Sequence, residues 1–211
     1  VKQFVASGVP ALAVNCDGVL FGGSLDDLTV ARQVSAKAAL NMATEEGIEV
    51  PPILGSDLIL YPYQLYKLYL AGSDAVVLVA GALSSKDLLY LTKIAASLKL
   101  QVVISVTSTV QIDSLMKLEK GSIHAVIVSN RELEDFSFDM SGQQALSLLT
   151  SASMKALLEH HGADLPVLVE GRVGLIGRDG YVDELKSAGA IGAVCGGALA
   201  DKELSEQLLN S

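Results

Sequence analysis

The sequence predicts an α/β fold of repeated βα units, on three observations. Short apolar runs alternate with amphipathic segments from end to end, the pattern of strands and helices laid down in turn. A glycine recurs just ahead of these runs, at Gly8, Gly72, Gly121 and Gly189, where a helix that ends in the left-handed conformation favours one. Half of the 211 residues are hydrophobic, and the mean hydropathy is +0.44. Parallel strands buried on both faces account for that excess.

Taken in order, the strands read as Ala11–Cys16, Pro52–Asp57, Ala75–Ala80, Val102–Thr107, Ala125–Asn130, Val167–Glu170 and Gly192–Gly196. Helices fall at 25–46, 62–71, 85–98, 109–119, 142–160, 179–188 and 201–209. Repetition of one supersecondary unit fits a barrel or a doubly wound sheet, and the pattern does not separate them. The nucleotide-binding open sheet is weakened, because no Gly-x-Gly-x-x-Gly follows the first strand and no phosphate loop of the Gly-Lys-Ser type occurs. We read 1–211 as one domain. Its N-terminal residues, Val1 to Gly8, look like the end of a helix, so sequence is expected upstream.

Composition excludes several function classes. A formal charge of −9 argues against broad nucleic-acid binding, which needs clustered Lys and Arg. No apolar run reaches the roughly 18 residues of a membrane span. Cys16 and Cys195 are too few for a disulfide framework, so a reducing compartment is expected. Adjacent His160 and His161 point apart and have no third partner in the pattern, so no metal is expected. Asp26 and Asp27 follow Ser24 as helix-start residues do. Tyr61, Tyr63, Tyr66 and Tyr69 crowd one helix with Leu65 and Leu68. They either pack on neighbouring helices or offer a protein-partner surface through Tyr63, Tyr66 and Tyr69.

Four stretches, in order, resemble the indole-3-glycerol-phosphate synthase family. The first runs from Asp17 to Leu28, where Phe21, Gly22, Gly23 and Ser24 precede the acidic pair. The second runs from Ile53 through Asp57 and Gln64 to Tyr66, and resumes from Leu70 to Ala80. The third, the most specific, is Ser129, Asn130, Arg131, Leu133 and Glu134 on the way to Phe136. The fourth joins Leu168–Glu170 to the run from Ala193 to Leu199. The resemblance implies a (β/α)8 TIM barrel of the phosphate-binding, ribulose-phosphate type. Its first strand, which carries a catalytic Glu and Lys in the family, is expected ahead of Val1.

The resemblance also implies a reaction and a site. The family closes an indole ring from an anilino-deoxyribulose phosphate, with loss of carbon dioxide and water, in tryptophan biosynthesis. That chemistry uses a cationic acid, carboxylates for proton transfer, and donors for the phosphate. The family's general-acid Lys falls on Ser56, a catalytic Glu on Ser105 and a substrate-contacting Asn on Ser129. Asp57, Arg131 and Glu170 match family residues. Gly171, Gly196 and Gly197 sit where phosphate-binding loops are expected, although the family's Ser after the last strand is Ala198 here. Arg172 follows as a further source of charge. A serine hydroxyl holds no positive charge, so the sequence reads as a non-catalytic or repurposed member, a pseudoenzyme acting by binding or assembly. The alternative is a working carboxy-lyase. No cofactor is implied. A phosphorylated small molecule is the expected ligand, and the family implies bacterial cytoplasm or the plant plastid.

Overall fold

The computed structural model describes residues 1–6, 8–42, 50–131, 135, 137–171, 173, 176 and 179–196. Arg172, Leu133, Glu134, Phe136, Gly197, Ala198 and the expected helix at 201–209 lie outside them. The chain divides into two compact units, one of Val1–Leu78 with Lys93–Val102, the other of Val79–Thr92 with Val103–Ser211.

In the first unit a short helix, α1 (Lys2–Ala6), leads into β1 (Leu12–Asn15), α2 (Leu25–Met42), β2 (Ile53–Ser56), α3 (Pro62–Leu70) and β3 (Ala75–Val79). Both strand pairs, β1 with β2 and β2 with β3, are parallel. Leu12, Ile53, Val76 and Leu78 on the strands are buried with Leu28, Leu65 and Leu68 from the helices. The helix α2 starts on Ser24, whose hydroxyl accepts the Asp27 N–H at 3.1 Å and donates to the Asp27 carboxylate at 2.6 Å. That is the helix-start role expected of the acidic pair. Arg32 on α2 donates twice to the Gly72 carbonyl, at 2.8 and 2.7 Å, and pairs with Asp74, which ties the α3–β3 turn to α2.

The chain enters the second unit at Val79, returns to the first within α4 (Ser85–Ser97) and re-enters the second within β4 (Gln101–Val106). There α5 (Thr109–Leu115), β5 (Ala125–Ser129), α6 (Gln143–Leu149), α7 (Ala152–His161), β6 (Val167–Glu170), α8 (Tyr181–Ser187) and β7 (Gly192–Val194) follow. Pairings β4–β5, β5–β6 and β6–β7 are all parallel. Every residue of β5 is buried, as a strand apolar on both faces should be. Val126, Val128, Ile112, Leu157, Val169 and Leu185 form the core around it.

Two local expectations are tested sharply. Gly8, Gly72, Gly121 and Gly189 all take positive φ, at 71°, 98°, 81° and 100°. The helix-ending role holds for Gly8, Gly72 and Gly189. By contrast, α5 stops at Leu115, short of the helix expected over 109–119, and Gly121 turns a separate loop into β5. The single helix expected over 142–160 is instead two. Thr150 and Ser151 turn their hydroxyls back onto the carbonyls of Leu146 and Leu148, at 2.8 and 2.7 Å. Ser151 then caps α7 by accepting the Met154 N–H at 3.1 Å. Hydroxyl side chains compete with the helix for its own backbone groups, and here they win.

Candidate functional site

Parallel strands deliver their C-terminal residues to one edge, so register decides which side chains meet there. In the second unit Ser129 pairs with Glu170, and Glu170 pairs with Val194. The loops that begin at Asn130, Gly171 and Cys195 therefore leave from neighbouring strand ends. Ser129 is buried, and its hydroxyl donates to the Glu170 carboxylate. The Arg131 N–H in turn donates to the Ser129 hydroxyl at 3.3 Å.

Glu170 carries the electrostatic signature of this cluster. Burial pushes its carboxyl above the ordinary glutamate value, while the Arg131 charge and the Ser129 hydrogen bond pull it part of the way back. Desolvation wins because an ionised carboxylate loses more water than these two partners replace. Arg131 is held over the Phe138 ring, 4.2 Å from its centroid. The pair also forms an isolated antiparallel bridge, so the guanidinium is placed by an aromatic face as well as by its charge.

Asp139 braces this corner from behind. Burial raises its carboxyl, but hydrogen bonds from Ser141, Gln144 and Gln143 outweigh that and hold it below the ordinary aspartate value. It accepts from the Ser141 hydroxyl at 2.5 Å and from the Gln144 N–H at 2.8 Å. Sequence reasoning missed Phe138 and Asp139. The available signal was an aspartate two residues before a serine, the pattern of a side chain closing its own turn.

Ser105 on β4 is buried, in register with Ile127 of β5. Gly171 is buried at φ 110°, whereas a Cβ on Gly196 would meet nothing within 4 Å. Gly197 lies outside the described residues. Gly171 and Gly196 follow neighbouring strands, β6 and β7.

In the first unit Ser56 ends β2 in register with Asn15 of β1. Next to it, Asp57 accepts the Gln64 side-chain N–H at 3.2 Å. The same Gln64 amide donates to the Leu58 carbonyl at 2.8 Å and accepts from the N–H groups of Leu60 and Tyr61, at 2.9 and 3.0 Å. Gln64 is a third residue the sequence reading did not single out for the site. Its signal was its place two residues after Pro62, at the third position of α3. Cys16 is buried, and burial with the nearby Asp57 charge pushes its thiol up to about 11. A thiol so protonated is a small apolar side chain, not a nucleophile. Burial likewise raises Cys195. Asp17 closes its own loop, accepting the N–H groups of Val19 and Leu20 at 2.8 and 2.5 Å.

Other singled-out residues resolve plainly. His161 is buried with Nε2 3.1 Å from the Leu115 carbonyl, and His160 Nε2 lies 3.4 Å from that of Leu118. Both stand in the last turn of α7, with His161 against the last residue of α5 and His160 against the turn that follows it. Among the described residues no three His, Cys, Asp or Glu side chains group as metal ligands, and no helix is long and apolar enough to cross a membrane. The tyrosines of α3 face outward: Tyr63, Tyr66 and Tyr69 are exposed, while Leu65 and Leu68 point inward. Lys67 sits over the Tyr63 ring, 5.1 Å from its centroid.

Comparison with known proteins bears on both fold and family. The family model for indole-3-glycerol phosphate synthase matches residues 1–163. The indole-3-glycerol phosphate synthase of Microcystis aeruginosa is 32% identical over 145 residues, 69% of this chain and 44% of that protein. That of Rippkaea orientalis is 32% identical over 156 residues, 74% of this chain and 48% of that protein. The chain thus spans about half the length of the curated relatives it matches. Among solved structures, 3-keto-L-gulonate-6-phosphate decarboxylase from Vibrio cholerae has a TM-score of 0.64 at 16% identity, covering 100% of this chain and 86% of the other. A 3-hexulose-6-phosphate synthase has a TM-score of 0.59 at 17% identity, covering 99% and 88%. The likeness shows the fold alone, a parallel α/β arrangement of the barrel kind. It decides for the barrel over the doubly wound sheet.

Proposed function

Because the chain belongs to the indole-3-glycerol phosphate synthase family, we propose that it takes that family's phosphorylated substrate, an anilino-deoxyribulose phosphate, at its C-terminal strand ends, with Glu170 as the working carboxylate. The observation that carries this reading is the Glu170 cluster: a carboxyl raised by burial, beside a guanidinium and a hydroxyl on register-matched strands. A carboxyl whose proton is held more tightly than usual is better matched to proton transfer near neutral pH. Arg131 supplies positive charge for an anionic substrate, and backbone N–H groups at Gly171, Gly196 and Gly197 receive the phosphate. In the first unit Asp57, which accepts from the Gln64 side chain, matches another family residue. Residues 1–211 act as one barrel domain, in bacterial cytoplasm or a plant plastid.

The test is turnover of the anilino-deoxyribulose phosphate by the intact protein, followed as formation of indole-glycerol phosphate. Glu170→Gln should lower kcat/KM by roughly 10² to 10⁴, the usual cost of losing a group that moves a proton. Unchanged turnover in that variant would remove Glu170 from the role.

A second reading is favoured by Ser56 and Ser105, which stand where the resemblance implies a Lys and a Glu. Neither hydroxyl carries charge, and an arginine acting in their stead is a poor proton donor. On this reading the protein binds the phosphorylated ligand, or a protein partner through Tyr63, Tyr66 and Tyr69, without turning the ligand over. Thermal stabilisation by the substrate with no product would favour it; product formation would exclude it. A ligand at a hundred times its Kd stabilises by about 2.7 kcal/mol, well within reach of a melting experiment.

A further inference from the structure

Asn130 directly follows β5 and has no exposed surface. Its backbone is held on both sides: the N–H donates to the Glu170 carbonyl at 3.2 Å, and the carbonyl accepts the Asp139 N–H at 3.0 Å. Its side-chain Nδ2 donates to the Asp139 carbonyl at 3.1 Å. That bond fixes which end of the amide is oxygen, since a carbonyl accepts only from the NH2 end. Oδ1 must therefore face the other way, where it is buried with no hydrogen-bond partner.

What it faces is Gly171. A Cβ built on that glycine would come within 1.5 Å of Oδ1 and 2.5 Å of Asn130 Cγ. The amide thus points its oxygen end at the space a side chain on Gly171 would fill, and the glycine's φ of 110° is one that other residues rarely adopt. A buried amide oxygen without a donor costs free energy that an apolar side chain of similar size would not. Packing alone gives no reason to keep an asparagine there. Placement does, because Gly171 is the first residue after Glu170, so its turn adjoins the strand end that carries the carboxylate.

We propose that Asn130 is a positioning residue for the Glu170 end of β6, with its amide, anchored on Asp139, fixing the backbone turn at Gly171. This rests on the reading of Glu170 as the working carboxylate. The brace extends outward through Asp139 to Ser141 and Gln144 at the start of α6. The carboxylate is thereby referred to a helix start as well as to its own strand.

Carbon-13 NMR of the Glu170 carboxyl, followed against pH in the intact protein, is the test that does not depend on turnover. In Asn130→Ala the Gly171 turn loosens and water reaches the carboxyl, so its titration should move down toward the ordinary glutamate range. Asn130→Ser, which keeps a small polar group, should move it less and serves if the alanine variant does not fold. A purely structural asparagine would lower stability in both variants and leave the Glu170 titration in place; that result overturns the proposal. Where the parent protein turns over substrate, Asn130→Ala should also cost roughly 10²-fold in kcat with a smaller change in KM, as misplacement of a reacting group does. If the parent shows no turnover, the lyase reading fails while the NMR titration still decides on Asn130.

Discussion

At the scale of single residues, Glu170 gives the sharpest expectation. Its carboxyl is raised from 4.5 by burial, against the opposing pull of Arg131 and Ser129. A raised folded-state value contributes stability below the unfolded value and loses it as pH rises through the folded one. At neutral pH the ionised group is therefore a cost to the fold. Glu170→Gln should raise the urea midpoint at neutral pH, with the gap to the parent closing as pH falls below about 4.5. An equal or lower midpoint for the variant at neutral pH would contradict the burial that sets this group apart. Much of the cluster was legible beforehand. Ser129, Arg131 and Glu170 each sit where an apolar run ends, and such positions in a βα repeat fall at one edge. The contact between Asn130 and Gly171 was not legible, because it depends on how a loop after one strand lies on the turn after its neighbour.

At the scale of elements, α3 and the α5–α7 pair carry opposite lessons. The spacing of Leu65 and Leu68 fixes the inward face of α3, and the tyrosines fall outside it by default. Leu65→Ala should cost about 2–5 kcal/mol in chemical denaturation, whereas Tyr66→Ser should stay within about 0.5 kcal/mol. A large loss from Tyr66→Ser would mean that the ring is packed rather than presented. The α6–α7 break was harder to foresee. Apolar spacing continues through Thr150 and Ser151, and only their hydroxyls interrupt the ladder. Across the α5–α7 contact, burial lowers His161 from 6.5, with the Leu115 carbonyl opposing and His160 and Lys120 adding to the shift. A lowered folded-state value gives stability that is present above 6.5 and is lost as pH falls. The urea midpoint should thus drop between about pH 7 and 5, and His161→Gln should flatten that part of the profile.

At the scale of the whole molecule, repetition is what made the fold readable. Seven apolar runs, each preceded by a helix end, can only be packed as parallel strands covered by helices. Whether such strands curl into a barrel is a property of long-range strand order, which short-range patterning does not encode. Likeness to two solved barrels, not periodicity, answered that question. The chain also has six tyrosines and no tryptophan. Its ultraviolet emission is therefore tyrosine emission, and four of the six emitters sit at 61–69, at the start of α3 or within it. Tyr181, by contrast, is sealed from solvent. An aqueous quencher such as iodide would dim the four exposed rings at 61–69 together with Tyr90 on α4 and spare Tyr181, so most of the quenchable emission reports on whatever approaches α3.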